Sequence, residues 1–241
     1  MSHIKRWFNP QRDRRSEVMD QPGLDAGLHR QALAALRRIN LLSRTAASLW
    51  PDLVRLANEH PGRPLDVLDV ACGGGDVTLR LASWAAAAGL PIRLTGCDIS
   101  PVAVDYAREQ ARKRGLASTS FLVHDAVRQP LPGVYDAVLC SLFLHHLDEA
   151  DAGALLRNMA TAARSLVLLS DLRRTRIGFL MAKLAGNLLT RSPVVRVDGP
   201  LSVAAALSVD EVRGLAVRSG LTGASVRTIW PQRFLLRWRK P

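Results

Sequence analysis

The stretch VLDVACGGGDV, residues 67–77, runs from an apolar segment straight into three glycines. The run LDVLDV, 65–70, is short and apolar, as expected of a strand buried in a parallel sheet. Glycines placed just after a strand let the backbone turn tightly and approach a ligand closely. Ligands of open α/β sheets bind beyond the carboxyl ends of the strands. The stretch therefore predicts strand, ligand-cradling loop and, from Asp76, a helix.

Reading outward, the same alternation continues. Strands are predicted at 65–70, 92–97, 119–124, 134–140, 166–170, 223–229 and 233–238. Helices are predicted near 76–88, 101–114, 149–164, 175–190 and 208–219, the last opened by a Ser208/Glu211 capping box. Such alternation implies an α/β fold, a mainly parallel sheet with helices on both faces. The short Trp-Pro-Gln turn at 230–232 makes the final pair an antiparallel hairpin. Before residue 60 the text is different: a polar, basic, irregular arm to residue 23, then helical periodicity from Leu24 to His60, with Pro51 suited to the first turn of a new helix. Two units are expected, an arm with helical cap over 1–60 and the main domain over 61–241.

Three ligand types compete for the glycine loop. In G-x-G-x-x-G counted from Gly73, the third glycine falls on Thr78, so the dinucleotide fingerprint is incomplete. No G-K-[ST] follows the glycines, which excludes a P-loop. Asp69 and Asp76 flank the loop without a nearby Lys or Arg, which suits a cationic ligand. Asp98 follows the second strand, placed to accept from ribose hydroxyls, and Asp125 follows the third.

The order VLDVACGGGDV, GCDISPVAVDYAR (96–108), HDAV (124–127) and YDAVLCSLFLHHL (135–147) resembles the class I S-adenosylmethionine-dependent methyltransferases. The detailed likeness covers about residues 64–171. It implies a Rossmann-like seven-stranded sheet whose last strand is antiparallel, and S-adenosylmethionine as cofactor. By position it implies that Ala71, Cys72, Gly73 and Gly75 lie against the methionine and ribose parts, and that Asp69 orients the amino end. Asp98 would hold the ribose hydroxyls, Ile99 would pack near the adenine, and Asp125 would accept from the adenine amino group with Ala126 beside the ring. Ser141 and Leu142 would border the methyl group. The family most often has glycine where Ala71 stands, so a negative φ is expected there. Cys72 reads as a loop filler rather than a nucleophile.

For the acceptor, a phenolic oxygen with a free pKa of about 10 benefits from a general base. His146 is the first candidate and His145 the alternate, although one histidine of such a pair often packs under the cofactor. Asp171 could face the acceptor or cap the next helix; His29 and Arg37 lie on a helix that could close over the pocket. The Ser-Leu-Phe-Leu after the fourth strand differs from the Asn/Asp-Pro-Pro-aromatic run of nucleic-acid amino methyltransferases, so a nucleic-acid substrate is not expected. A small hydrophobic acceptor methylated on oxygen, phenolic or polyketide-like, leads the readings. Carbon methylation of a quinone precursor, RNA methylation and a non-catalytic cofactor-binding scaffold are the alternatives.

The net charge of +12 suggests an acidic partner, or simply an arginine-rich composition, since Lys stands only at 5, 113, 183 and 240. Three cysteines without CxxC spacing argue against a disulfide framework or structural zinc and for a reducing cytoplasm. No metal is expected. The segment 173–191 puts Ile177, Leu180, Met181, Leu184 and Leu188 on one helical face between arginines. A sheet-covering helix is the plainer reading; a helix resting on an anionic bilayer, or lining the entrance for a lipophilic acceptor, is the other. Trp7 and Phe8 could add to such membrane contact.

Overall fold

The computed structural model describes residues 12–15, 17, 25–42, 44–116, 118–189 and 193–241. Seven strands form one sheet: β1 (Leu65–Val70), β2 (Ile92–Asp98), β3 (Thr119–Val123), β4 (Tyr135–Ser141), β5 (Ala163–Leu172), β6 (Ser225–Ile229) and β7 (Arg233–Arg239). Their order is β3-β2-β1-β4-β5-β7-β6. β7 alone runs antiparallel, to both β5 and β6, as the Trp-Pro-Gln hairpin predicted. The strand order reverses between β1 and β4, and that switch point opens a crevice at their carboxyl ends.

Alternate residues of the central strands feed two separate cores, the expected consequence of a period of two. Leu68, Val70, Val138, Cys140, Val167 and Leu169 face α5 (Glu149–Ala162) and α8 (Val209–Arg218). Val67, Ala137, Leu139, Leu166 and Leu168 face α2 (Thr45–Glu59) and α3 (Asp76–Ala87). α4 (Pro101–Lys113) packs Val104 and Ala107 on Phe121 of β3, and Ser100 caps it by accepting from Ala103 N at 3.3 Å.

The N-terminal helices begin elsewhere than expected. α1 (Ala26–Leu42) ends before α2, and α2 starts at Thr45, so Pro51 lies inside a helix rather than in its first turn. An interior proline loses one backbone hydrogen bond; burial of Leu49, Leu53 and Leu56 against the sheet offsets that loss. α6 (Arg176–Leu189) matches the prediction near 175–190. The following helix, α7 (Pro193–Ala205), was not foreseen, because Gly199-Pro200 at its centre reads as a breaker. α6 and α7 pack closely where Gly186 meets the backbone of Arg196; a Cβ on Gly186 would lie 3.3 Å from Arg196 Cα.

Candidate functional site

The loop after β1 turns through three left-handed residues, Ala71 (φ 52°), Gly73 (φ 52°) and Gly75 (φ 73°). The expected negative φ at Ala71 is therefore wrong. The turn is set by its neighbours: Cys72 N must reach Cys97 O of β2, at 2.9 Å, immediately after β1 ends. For an L-residue this conformation costs roughly 1–2 kcal/mol. Among the described residues four non-glycines have positive φ, and three of them, Ala71, Leu142 and Gln232, line one cavity. Such strain gathers where a site requires it.

The cavity, about 910 Å³, sits over the carboxyl ends of β1, β2 and β4. Of the residues singled out in the sequence, Ala71, Cys72, Gly73, Asp98, Ile99, Asp125, Ala126, Ser141, Leu142, His145 and His146 line it, and so does His29. Arg37 does not; it is exposed and donates to Gln110 Oε1 at 3.4 Å. Asp69 and Gly75 lie behind the wall instead. Gly75 is a packing residue, since a Cβ there would come within 2.8 Å of Phe121 and 2.9 Å of Ala107. Asp69 is buried under the loop, its Oδ2 accepting from Thr78 Oγ1 at 2.6 Å while Oδ1 has no hydrogen-bond partner. Burial pushes its carboxyl up to about 7, with Asp76 and Asp98 adding to the rise against the Thr78 bond.

Asp98 ties β2 to the loop: Oδ2 accepts from Gly73 N at 2.8 Å and Oδ1 from Ser100 N at 2.9 Å. A carboxylate oxygen can accept more than one hydrogen bond, so these contacts are compatible with a ligand hydroxyl. Asp125 Oδ1 accepts from Val127 N and Arg128 N, both at 3.0 Å, and Ile99 is 64% exposed on the cavity rim. Burial holds the Cys72 thiol well above its ordinary range, hence protonated and a poor nucleophile.

The opposite wall is assembled from distant segments. His145 is buried in a single 3₁₀ turn after β4, and its Nδ1 lies 2.7 Å from Asp171 Oδ1 at the end of β5. Asp171 Oδ2 also accepts from His145 N at 3.0 Å. Burial alone would raise the Asp171 carboxyl, but the attraction and hydrogen bonds of His145 bring it below its usual range. Asp171 thus orients the histidine rather than lining the cavity, and Thr175 Oγ1 accepts from Gly178 N to cap α6. His146 stacks on Phe143, with ring centroids 5.9 Å apart.

Glu17 completes this wall, and no sequence signal marked it. Residues 12–15 cross the histidine turn: Arg12 donates to the carbonyls of Ala205, His145 and Leu147, and Arg14 donates to that of His146. Glu17 Oε1 then sits 3.8 Å from His145 Nε2 and 4.0 Å from His146 Nδ1. Burial raises the Glu17 carboxyl, offset in part by the two histidines and Ser202. Ser202 Oγ is 2.6 Å from Glu17 and 2.9 Å from Asp198 O.

The family described as Methyltransferase domain matches residues 67–165. Those residues carry the loop, Asp98, Asp125 and both histidines. Over those residues the chain matches a methyltransferase domain, in keeping with its resemblance to the class I S-adenosylmethionine-dependent methyltransferases. Solved structures share its fold. Magnesium protoporphyrin IX methyltransferase from Synechocystis, with bound S-adenosylhomocysteine, aligns at TM-score 0.59 and 18% identity, over 100% of this chain and 94% of that one. The O-methyltransferase NcsB1 of neocarzinostatin biosynthesis, with S-adenosylhomocysteine and 1,4-dihydroxy-2-naphthoic acid, aligns at 0.66 and 21%, over 93% of this chain and 61% of that one. An O-methyltransferase family 2 protein from Planctomyces limnophilus in complex with apigenin aligns at 0.55 and 19%, over 83% and 62%.

The residues of the cavity fit S-adenosylmethionine, the cofactor of this domain. Gly73 presents no Cβ to it, with only a Leu33 methyl 3.9 Å from where one would stand. Asp98 and Asp125 bring acidic acceptors, and the loop itself carries no cation that would repel a sulfonium. Glu17, His145 and His146 also offer ligand atoms within 4.8 Å of one another, a His₂-carboxylate set that could hold a divalent cation. Beyond them the lining mixes apolar side chains, Leu33 and Leu36 of α1, Met181 and Ala185 of α6, Val195 and Val203 of α7, with the polar Asn40, Asp198, Gln232 and Arg233.

Proposed function

We propose that this methyltransferase methylates the oxygen of a small hydrophobic phenol, with His145 as general base. The observation that carries the reading is the buried 2.7 Å contact between His145 Nδ1 and Asp171 Oδ1. A carboxylate that accepts Nδ1–H leaves Nε2 as the unprotonated nitrogen of the ring. When bound, S-adenosylmethionine would supply an electrophilic methyl group to the acceptor oxygen, its sulfonium sulfur leaving as a neutral thioether. The chain's own residues hold the partners in line, which is a large share of catalysis for such a transfer.

In this reading Asp98 accepts from the ribose hydroxyls, Asp125 accepts from the adenine amino group, and Ile99 and Ala126 pack on the ring. Ala71, Cys72 and Gly73 lie along the methionine, and Ser141 and Leu142 border the methyl group. His145 Nε2 takes the phenolic proton, while His146 and Phe143 form the wall beside it. Among the described residues, Glu17 and α1 border the acceptor together with α6 and α7, while the loops after β1, β2 and β3 bind the cofactor. The apolar lining from α1, α6 and α7 supports a hydrophobic acceptor, and the aromatic ligands of the NcsB1 and Planctomyces structures are in keeping with it.

Transfer of labelled methyl to a panel of dihydroxynaphthoates, flavones and a lipid extract tests this. His145→Ala and Asp171→Asn are each expected to lower kcat by about 10²-fold or more, with S-adenosylhomocysteine affinity unchanged. His146→Ala is expected to cost less than about tenfold. Full turnover in His145→Ala removes it as the base, and label found on carbon removes O-methylation. Loss of activity with a chelator would assign Glu17, His145 and His146 to a cation instead.

A further inference from the structure

α6 has two apolar faces, and among the described residues only one of them is packed against the protein. Met181, Ala182 and Ala185 turn toward the cavity, together with Gly178 and Gly186. Ile177, Leu180, Leu184 and Leu188 turn outward and are 63%, 57%, 51% and 79% exposed. Their spacing of three, four and four residues places them in one stripe along the helix. Single exposed aliphatics are ordinary on protein surfaces; an uninterrupted stripe of four is not. The helix therefore does not cover the sheet, contrary to the plainer expectation from its sequence.

The surroundings of the stripe say what covers it. Lys183 and Arg176 are exposed on the same side of α6, and Val197 (51% exposed) and the exposed Arg196 follow on α7. Trp230 is 69% exposed at the cavity's edge, and its turn is tied to the start of α6 through Gln232, whose Oε1 accepts from Thr175 Oγ1 at 2.8 Å and Arg173 Nη2 at 3.1 Å. Apolar side chains flanked by cations, with an amphipathic aromatic beside them, match the chemistry of a bilayer interface. The net charge of +12 favours an anionic surface. Among the described residues no helix is long and apolar enough to cross a membrane, so the contact is interfacial.

We infer that the outer face of α6, with Trp230 and Val197, docks on an anionic phospholipid bilayer. The opposite face of the same helix lines the cavity, so docking puts the membrane one helix away from the acceptor site. A lipophilic phenol then passes from the bilayer past α6 without crossing water. This route rests on the acceptor class proposed above; the docking itself does not.

Co-sedimentation of the full chain with acceptor-free phosphatidylcholine vesicles, with and without phosphatidylglycerol, tests the docking. Binding is expected with phosphatidylglycerol, weakening as salt rises. Leu180→Ser with Leu184→Ser is expected to weaken it at least about tenfold, because each removes several buried CH₂ equivalents. Unchanged S-adenosylhomocysteine affinity in that variant reports an intact fold. Equal vesicle binding by variant and wild type would overturn the inference, as would absence of wild-type binding. So would a lipid-free dimer, seen by light scattering, that the variant splits into monomers. Because these vesicles contain no phenol, failure of the acceptor assignment leaves this result readable.

Discussion

The two walls of the cavity are built in opposite ways. The cofactor wall comes from short consecutive stretches, in which a strand end and the next few residues carry both the turn and the polar group. Asp98 anchors its own segment and the neighbouring loop with two backbone hydrogen bonds, at 2.8 and 2.9 Å. The acceptor wall joins the arm, the turn after β4, the end of β5 and the α6–α7 pair. His145, Asp171, Glu17 and Ser202 meet there, although Glu17 and Ser202 are 185 positions apart. A site whose parts are contiguous is legible as a motif; one made by long-range packing is not.

The largest expected effect sharpens the cofactor side. Asp98→Ala removes a charged acceptor from both the ligand and the loop, and S-adenosylhomocysteine affinity measured by calorimetry is expected to fall by roughly 10²-fold or more. An unchanged affinity would detach Asp98 from the cofactor and erase the contrast between the walls.

Asp69 gives a smaller effect with a defined sign. Its folded pKa of about 7 lies above the ordinary 3.8, so the folded protein holds the proton that the unfolded chain releases between these values. Stability from this group is complete below about pH 4, declines as pH rises and is lost above about pH 7. In thermal melts Asp69→Asn is expected to remove that decline and to gain on the order of 2 kcal/mol at pH 8, less than the full linkage of about 4 kcal/mol that the shift from 3.8 to about 7 would give. Its cofactor affinity should stay within a few-fold, because Asp69 does not line the cavity. A loss as large as that in Asp98→Ala would bring Asp69 into direct cofactor contact.

The smallest effect concerns the strained turn. Ala71→Gly relieves a left-handed alanine worth roughly 1–2 kcal/mol and gives back about 0.5–1 kcal/mol of glycine entropy. Melting at slightly higher temperature is expected. Destabilisation would mean that the Ala71 methyl group packs more usefully than its φ of 52° suggests.

Much of the fold was legible in the sequence because its signals are local. Apolar runs with glycine punctuation marked the seven strands, and the Ser208/Glu211 box marked the start of α8, where both reciprocal bonds form. Local signals failed where tertiary burial overrode them: Pro51 inside α2, Gly199-Pro200 inside α7, and the sign of φ at Ala71. In the last case the hydrogen bond from Cys72 N to Cys97 O, between strands adjacent in space, outweighs an intrinsic preference.

The sequence by itself determined the α/β architecture, the glycine loop and the acidic residues at the strand ends, since each rests on neighbours within a few positions. Only the tertiary structure decided that Asp69 and Gly75 stand behind the wall, that Asp171 orients His145 and that Glu17 reaches both histidines. It alone separated the two faces of α6, one toward the cavity and one toward solvent. Hydrophobic periodicity fixes which residues share a helix face. What that face meets depends on the rest of the chain.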